Sequence, residues 1–395
     1  MPPVYNRIGI QGYRVLHCEH QEQLQVHLTP RKEGRRRVRC PCCGGGRLRS
    51  KGSYRRRARH LDCFGQPSKL VIHTRRFRCR DCGRTFVPQL PGLLPGRRST
   101  EPFREKVYLH HHEGIPASSM ARLYRMGAAT VSRIYAQFTE RKAAERIRLQ
   151  CPMVLGIDEH TIHNGQRFAT TFCDLKNHKV FDIVQGRSEA DMLAFLSSLQ
   201  GRERVRVVCI DLSSPYRSMI RRWFPNARIV ADRFHVVRVL MTHFMDLCRQ
   251  IAPVIKSHRG HLALLRTAPE RLQPHQLQRL LSLFEQHPAL APLHEHMHAL
   301  RGLLNVKNRT KRQCRPLIEK LLQAITELKA SGFLPLITLA QTLASWKEEI
   351  ACMWRFTKNN GITEGFHRKM KLIQRRAYGF RNFNNYRLRV IAQCG

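Results

Sequence analysis

The chain of 395 residues carries 70 Lys and Arg against 28 Asp and Glu, a formal net charge of +42. Hydrophobic residues make up 42% of it, which excludes a disordered basic tail and predicts two or three domains with cores of their own. No apolar run approaches the roughly 18 residues of a membrane span, and the first residues lack the apolar segment of a signal peptide. We therefore expect a cytoplasmic protein with no membrane partner. Its 14 cysteines should then be metal ligands and buried thiols.

The positive charge is dense in the first hundred residues and predicts a polyanionic partner. Residues 1–100 hold 23 Lys and Arg against 5 Asp and Glu, and most of these cations are arginine. A guanidinium binds phosphate with two hydrogen bonds, and a surface rich in it attracts nucleic acid largely without regard to sequence. The alternative is an arginine-rich face that is merely solvated. A membrane surface is disfavoured because no amphipathic helix accompanies the basic runs.

Residues 1–95 are predicted to form a zinc-binding domain. Weak alternation over residues 1–35 predicts one or two short strands. Two C-x₂-C pairs follow, each ending in a glycine that permits the tight turn around one ion: Cys40, Cys43, Cys79 and Cys82. Four thiolates suit tetrahedral Zn²⁺ in a closed structural site, and strands at 70–73 and 76–78 indicate a zinc ribbon.

Two alternatives remain for this segment. Spare ligands are available for the metal, namely Cys42, Cys63, His60 and His73. The cysteines could also be reduced structural thiols without a metal. After them, Pro-Gly signals in residues 91–100 predict a linker.

Residues 101–148 are predicted to form a helix-turn-helix. Their apolar spacing is helical, and Gly127 is expected to take the left-handed conformation that the turn requires. Val131 and Ile134 then point into a core. The residues left outward suit a recognition helix in a DNA major groove: Ala129, Thr130, Ser132 and Arg133. An ordinary helical hairpin is the alternative.

From residue 151 onward, apolar runs alternate with helical patterns, which predicts an α/β domain. The predicted strands are 153–157, 168–175, 180–184, 205–210 and a shorter 228–230. Helices are predicted at 190–199 and 215–224. Residues 234–350 are almost wholly helical in pattern, and residues 362–376 form one more, basic helix.

Two carboxylates follow apolar strands in a chain where acids are scarce. Asp158 ends the run 154–157, and Asp211 ends the run 207–210. A strand that is apolar on both faces belongs at the centre of a sheet. Carboxylates on neighbouring strands can share divalent cations, and Mg²⁺ keeps open positions for phosphate. The alternative for either residue is turn chemistry or a helix N-cap.

A third carboxylate is needed to complete such a site. Glu364 opens the last basic helix, with Thr363 as its expected cap, but periodicity does not choose it over Glu348 or Glu349. A first-turn glutamate is also favoured by the helix dipole alone. The cations that follow Glu364 are placed to hold DNA: Lys369, Lys371, Arg375 and Arg376.

Asp232 competes for a metal role. It follows the apolar pair 229–230, and His235 lies three residues on, one helical turn away. The alternative is that Asp232 is the N-cap of a helix that starts near Phe234.

Several of these stretches together resemble the DDE transposases of the ISL-three insertion-sequence family. The motifs are Gly-Ile-Asp158-Glu-His, Asp211-Leu-Ser-Ser-Pro-Tyr216, Phe224-Pro-Asn-Ala, Ala-Asp232-Arg-Phe-His235-Val-Val and Asn360-Gly-Ile-Thr-Glu364-Gly-Phe-His-Arg-Lys-Met-Lys371. They cover nearly the whole chain in the family's order, with Leu212 where methionine is often expected.

The resemblance implies a ribonuclease H-like catalytic domain over residues 151–395, with a helical insertion at about 240–350. It makes Asp158, Asp211 and Glu364 the catalytic acids that hold Mg²⁺ or Mn²⁺. Asp232 and His235 become a supporting pair near them.

The function implied is that of a bacterial transposase working on the nucleoid. It would bind the terminal inverted repeats of an insertion sequence, cut at the element ends and join the freed 3′-hydroxyl to target DNA with two metal ions. Handling two ends predicts a homo-oligomer on double-stranded DNA. The rivals are an inactive DNA-binding regulator derived from a transposase, a nuclease that cuts without joining, and an RNA-binding zinc protein. Retention of all three acids favours the enzyme.

Overall fold

The computed structural model describes residues 9–20, 23–31, 38–63, 65–147, 150–163, 167–256, 258–356 and 361–395. Asn360, which opens the last motif, lies outside these ranges. The chain divides into two compact units, Met1–Arg141 and Lys142–Gly395. No helix in the described ranges is long and apolar enough to span a membrane.

The first unit is built on a five-stranded sheet. Its strands are β1 (Tyr13–His20), β2 (Leu24–Pro30), β3 (Leu48–Cys63), β4 (Gln66–Cys79) and β5 (Thr85–Phe86). The order is β1-β2-β4-β3, with β5 beside β4. β2 and β4 run parallel, and the other pairs are antiparallel. β1 and β2 lie where the weak alternation predicted short strands.

The long hairpin β3–β4 differs from the sequence prediction. Short strands were predicted at 70–73 and 76–78, whereas β4 is one strand of 14 residues that pairs with a 16-residue β3. Buried side chains do alternate with more exposed ones in β3, since Ala58 and His60 are buried. The sequence does not reveal this alternation, because the arginines at 55–57 form a run of cations without apolar residues.

One face of this sheet packs on the segment predicted to be a linker. The core includes Val26, Leu28, Leu70, Ile72, Leu90 and Leu93. Residues 91–100 are therefore not a free linker. Turns at Gly92 and Gly96, both with positive φ, fold the segment back so that Leu93 is buried.

Three helices follow: α1 (Glu101–His112), α2 (Ala117–Leu123) and α3 (Ala128–Arg146). Val131 and Ile134 are buried among them, as predicted. The expectation for Gly127 is wrong, because the left-handed residue is Arg125, with φ of 43°. The N–H of Met126 donates to the carbonyl of Ala121 at 3.0 Å. This 6→1 hydrogen bond ends α2, and it requires the left-handed conformation at the residue before Met126, which is Arg125.

The second unit contains a mixed sheet with helices on both faces. Its strands are β6 (Val154–His163), β7 (Arg167–Asp174), β8 (Lys179–Gln185), β9 (Val207–Ile210) and β10 (Arg228–Ala231). They lie in the order β10-β9-β6-β7-β8. β6, β7 and β8 are antiparallel, whereas β9 and β10 continue the sheet in parallel with β6. All five lie where strands were predicted.

The two faces of this sheet have separate cores. One face packs on α4 (Glu189–Ser198), α5 (Ser214–Trp223) and α6 (Arg233–Ile251). The other packs on α13 (Gly361–Arg376) and α14 (Phe383–Cys394). Thr363 was expected to cap α13, but it lies inside the helix and is buried.

Between α6 and α13, the described elements are helical, as the sequence predicted. The longer ones are α7 (Arg259–Arg266), α8 (Pro274–Gln286), α9 (Leu290–Asn305), α10 (Lys311–Ala330), α11 (Leu334–Ser345) and α12 (Lys347–Met353). The last of these returns to the sheet and packs beside β10.

Candidate functional site

The four cysteines of the two pairs converge in the first unit. Their sulfur atoms all lie within 4.8 Å of one another. Sγ of Cys40 lies 3.6 Å from Sγ of Cys82, and Sγ of Cys43 lies 3.5 Å from Sγ of Cys79. Tetrahedral Zn²⁺, with Zn–S bonds of about 2.3 Å, needs sulfur separations of roughly 3.8 Å. The set therefore fits one structural zinc ion.

Local backbone turns prepare this site. The N–H of Gly44 donates to the carbonyl of Cys40 at 2.9 Å, and the N–H of Gly83 donates to that of Cys79 at 3.1 Å. Both glycines have positive φ. Hydrogen bonding from the backbone N–H of Cys43 lowers the pKa of the Cys40 thiol to about 7. Backbone N–H groups also act to lower the pKa of Cys43 and Cys82, but interactions with the neighbouring thiols outweigh them and raise both pKa values. A bound cation is therefore needed to hold all four as thiolates.

The spare ligands that the sequence offered are not part of this cluster. His60 is buried and bonds to the hydroxyl of Thr100 at 2.9 Å. His73 bonds to His27 instead, at 2.9 Å. Cys42 is exposed, and Cys63 is half-buried at the end of β3.

In the second unit, strand register aligns three aspartates. β6 and β9 are parallel with Gly156 opposite Cys209, and β9 and β10 are parallel with Ile210 opposite Ala231. Continuing both registers brings Asp158, Asp211 and Asp232 to the same level of three adjacent strands. Asp158 was expected to end its strand. It does not, because β6 continues to His163 alongside β7. It lies where β6 extends past β9.

A cavity of about 430 Å³ opens at this level of the sheet. The three aspartates line it together with Glu364. The other lining residues are Ile157, Glu159, Ser213, Tyr216, Phe234, His235, Arg238, Gly361 and His367. Strands, α6 and α13 thus each supply side chains to one polar cavity.

Negative charge is crowded in this cavity. Burial, and after it the charge of Asp211, raises the pKa of the Asp158 carboxyl to about 7. The N–H of Glu159 donates to Oδ1 of Asp158 at 2.8 Å and acts in the opposite direction. A bound cation would relieve the repulsion, so the arrangement suits a metal ion better than three free carboxylates.

Asp211, Asp232 and His235 form a tight group of potential metal ligands, all within 4.8 Å. Nδ1 of His235 bonds to Oδ2 of Asp211. Burial opposes protonation of His235, but the bond to Asp211 outweighs it and raises the pKa of the imidazole. Asp232 occupies the N-cap position of α6, yet its side chain makes no capping hydrogen bond. Its carboxylate lies within the group of potential ligands.

The choice among the three glutamates is narrowed by their positions. Glu364 lines the cavity, and its half-exposed side chain pairs with Arg368 at 3.3 Å. Glu349 is buried elsewhere, with an oxygen 3.5 Å from both Arg217 and Arg221. Glu348 is exposed on α12 and does not line the cavity.

A buried chain of polar side chains leads from Asp158 to α14. Nδ1 of His367 lies 3.6 Å from Oδ2 of Asp158, and its Nε2 bonds to the hydroxyl of Thr171 at 3.0 Å. That hydroxyl bonds to Nδ1 of His160 at 3.0 Å, and Nε2 of His160 bonds to the hydroxyl of Tyr386 at 2.9 Å. Burial lowers the pKa of His367 to about 4 and that of His160 to about 3, so both are neutral.

Sequence comparison places the chain among known proteins. The family model for ISL-three transposases, described as "Transposase", matches residues 155–390, which include the whole cavity. A second model, "zinc-finger of transposase IS204/IS1001/IS1096/IS1165", matches residues 36–82. The transposase for insertion sequence element IS1001 of Bordetella parapertussis is 29% identical over 411 residues, covering 97% of this chain and 96% of the relative.

The chain belongs to the ISL-three transposase family. Membership identifies it as an enzyme class that cuts and transfers DNA, with DNA as its partner. The zinc-finger match also agrees with the four-cysteine cluster, which supports a structural zinc ion.

The residues predicted to contact DNA are mostly accessible in the transposase. Ser132 and Arg133 are exposed on α3, and Thr130 is half-buried with its hydroxyl 3.1 Å from Arg133. Lys371 and Arg375 are exposed on α13. On the same helix, the ammonium of Lys369 donates to the carbonyl of Gln393 at 2.7 Å, so one of its donors is already used.

Sequence reasoning missed some cavity residues of the transposase. His367 lies three residues after Glu364, one turn along the same helix face, and this spacing was the available signal. Arg238 likewise follows Phe234 by four residues on α6, and its guanidinium lies 5.8 Å from that ring. Tyr216 bonds to the hydroxyl of Thr170 at 3.1 Å, a contact that no local pattern foretells.

Proposed function

We propose that the transposase has a ribonuclease H-like catalytic domain that cuts the ends of an insertion sequence and joins them to target DNA. The proposed catalytic acids are Asp158, Asp211 and Glu364. One observation carries this proposal: parallel register aligns the two aspartates on adjacent strands, and Glu364 on α13 lines the same cavity. The strand order, with three antiparallel strands followed by two parallel ones, supports the fold assignment.

The donor set of the cavity fits divalent cations. Carboxylate oxygens are the ligands that Mg²⁺ and Mn²⁺ prefer. Oδ1 of Asp211 is buried and has no hydrogen-bond partner among the described residues, which leaves it free for a cation. When bound between these acids, Mg²⁺ would make water a stronger nucleophile and stabilise the leaving oxygen of the phosphodiester.

The residues around the acids have supporting roles in this proposal. His235 holds Oδ2 of Asp211, so the aspartate presents its other oxygen to the cavity. Asp232 adds a further carboxylate beside that pair. His367 lies 3.6 Å from Asp158 and is itself held in place by its hydrogen bond to Thr171, so it restricts the positions that the Asp158 carboxylate can take. Arg238 is the cation of the cavity best placed to contact a DNA phosphate.

DNA recognition is assigned to the preceding segments. We propose a zinc-binding domain over residues 1–95 and a helix-turn-helix over 101–148 that bind the inverted repeats, with Thr130, Ser132 and Arg133 facing the bases. Lys369, Lys371 and Arg375 on α13 would hold the DNA backbone next to the acids. Because two ends must be handled together, the working form is a homo-oligomer on DNA, associated with the bacterial nucleoid.

The test uses DNA that carries the element's own ends, taken from the sequence that flanks the gene. The purified protein is incubated with this DNA and Mg²⁺ or Mn²⁺, beside Asp158→Asn, Glu364→Gln and the matched control Glu348→Gln. We expect metal-dependent nicks at the element boundary and joined products from the wild type and the control only. Retarded but uncut DNA with all four proteins would instead indicate a non-catalytic regulator, and cutting without joining would indicate a nuclease.

A further inference from the structure

We propose a second metal site in the first unit, formed by His17, Glu19 and His27, that takes a divalent transition metal such as Zn²⁺. It is separate from the four-cysteine site, and nothing in the proposed transposition chemistry uses it. The three ligand atoms all lie within 4.8 Å of one another. Two nitrogens and one carboxylate oxygen are a donor set that Zn²⁺ accepts readily.

The sheet brings these ligands together. β1 and β2 are antiparallel, and His17 lies directly opposite His27. Glu19 is two residues further along β1, so it projects from the same face as His17. The neighbours of His27 on β2, Val26 and Leu28, point into the core on the other face. The ligands therefore share the face that the apolar core does not use.

The distances agree with zinc coordination. Oε1 of Glu19 lies 3.0 Å from Nε2 of His17 and 3.6 Å from Nε2 of His27. With metal–ligand bonds of about 2.0–2.1 Å, a tetrahedral site needs ligand separations of roughly 3.4 Å. The rings of His17 and His27 lie face to face with centroids 4.2 Å apart, so binding needs a modest rotation of His17, whose side chain is half exposed.

His27 is prepared for a ligand role by its own partner. Its Nδ1 bonds to Nε2 of His73 on β4 at 2.9 Å. Its Nε2 is buried and has no hydrogen-bond partner among the described residues. A buried nitrogen without a partner is costly, and a metal ion beside it removes that cost. A hydrogen bond to the second ring nitrogen is how proteins orient histidine ligands.

The surrounding charge makes the placement of Glu19 informative. Residues 1–100 contain 23 Lys and Arg but only 5 Asp and Glu. Two other acids there take cations as partners, since Asp81 pairs with Arg47 and Asp62 with Lys106. The ion pairs described for Glu19 are instead with two histidines. Since β1 is the edge strand of the sheet, a metal at this position would fasten that edge to β2.

The test titrates Co²⁺, as a spectroscopic substitute for Zn²⁺, into the full-length protein stripped of metal under reducing conditions. Every protein in this test also carries Asp211→Asn, which removes the central ligand of the acid cavity so that the cavity adds no equivalent, and the protein unchanged in the first unit is called the wild type here. Thiolate ligands give an intense charge-transfer band, whereas the histidine site does not, so the two sites are counted separately. We expect two equivalents in the wild type. His27→Ala should lose the second equivalent, and Glu19→Gln should weaken it at least tenfold. The matched control His20→Ala changes a histidine of β1 that lies outside the cluster, and it should retain the second equivalent.

We expect every one of these variants to keep the sulfur band. Its retention would show that the variant is still folded around the first metal. Thermal unfolding with and without a second equivalent of Zn²⁺ gives an independent measurement. The second equivalent should raise the Tm of the wild type and of His20→Ala but not that of His27→Ala. A wild type that binds one equivalent only, or a second equivalent that persists unchanged in His27→Ala, would overturn the proposal.

Discussion

Asp158→Asn is expected to stabilise the folded protein at alkaline pH when no Mg²⁺ is added. Burial and the charge of Asp211 raise the pKa of this carboxyl from 3.8 to about 7. Below pH 3.8 the group is protonated in both the folded and unfolded states, so it costs nothing. As the pH rises, the unfolded state ionises first and the folded state is penalised, fully so above pH 7. The asparagine amide keeps an oxygen for the N–H of Glu159 and carries no charge.

The size of the effect follows from that pKa. At 1.36 kcal/mol for each pH unit, the penalty is on the order of 2 kcal/mol at pH 5 and about 4 kcal/mol at pH 8. Differential scanning calorimetry at both pH values, with zinc retained and no Mg²⁺, measures it. One kcal/mol corresponds to roughly 2–4 °C in Tm for a unit of this size. The variant should therefore unfold several degrees above the wild type at pH 8, with a smaller difference at pH 5.

Added Mg²⁺ tests whether uncompensated carboxylate charge causes this difference in Tm. It should raise the Tm of the wild type, because the ion binds the folded state only, and leave the variant almost unchanged. Equal or lower stability of Asp158→Asn at pH 8 without Mg²⁺ would refute the claim that burial and repulsion between the carboxylates destabilise the folded protein when no metal is bound.

Three further variants test other contacts. His367→Leu should lower the single-turnover cleavage rate about tenfold, with binding of end DNA unchanged, because Asp158 loses its positioning partner; an unchanged rate would contradict this. Glu349→Gln should lower the free energy of unfolding by about 2 kcal/mol, measured by urea denaturation, since Arg217 and Arg221 lose a buried counter-charge, and the folded variant should still cut DNA. Cys79→Ser should release the thiolate-bound zinc, measured by metal analysis, and abolish binding of end DNA; retained zinc would argue against the four-cysteine site.

Much of the second unit could be predicted from the sequence because its strands are apolar on both faces. Such runs stand out in a basic chain, and the strand positions were predicted correctly. The alignment of Asp158 with Asp211 was inferable as well, because both follow equivalent runs. What local patterns could not give was the true extent of β6, since its pairing with β7 is decided by the partner strand.

Long-range contacts explain the remaining differences. Three glutamates were equivalent by periodicity, and only the tertiary structure places Glu349 against arginines and Glu364 at the cavity. Gly127 was expected to be left-handed because glycine adopts that conformation at little cost. The helix-ending hydrogen bonds of α2 instead impose it on Arg125. The His17 cluster depends on the register between β1 and β2, which sequence alone did not specify.

The measurement that tests the central claim most directly is a metal-specificity switch at Asp158. A thiolate binds Mg²⁺ poorly and the softer Mn²⁺ better. Asp158→Cys should therefore fail to cut end DNA in Mg²⁺ and regain cutting in Mn²⁺, whereas Asp158→Asn should stay inactive in both. Cleavage by Asp158→Cys that is the same in the two metals, or cleavage by Asp158→Asn, would contradict a catalytic metal bound directly by this residue.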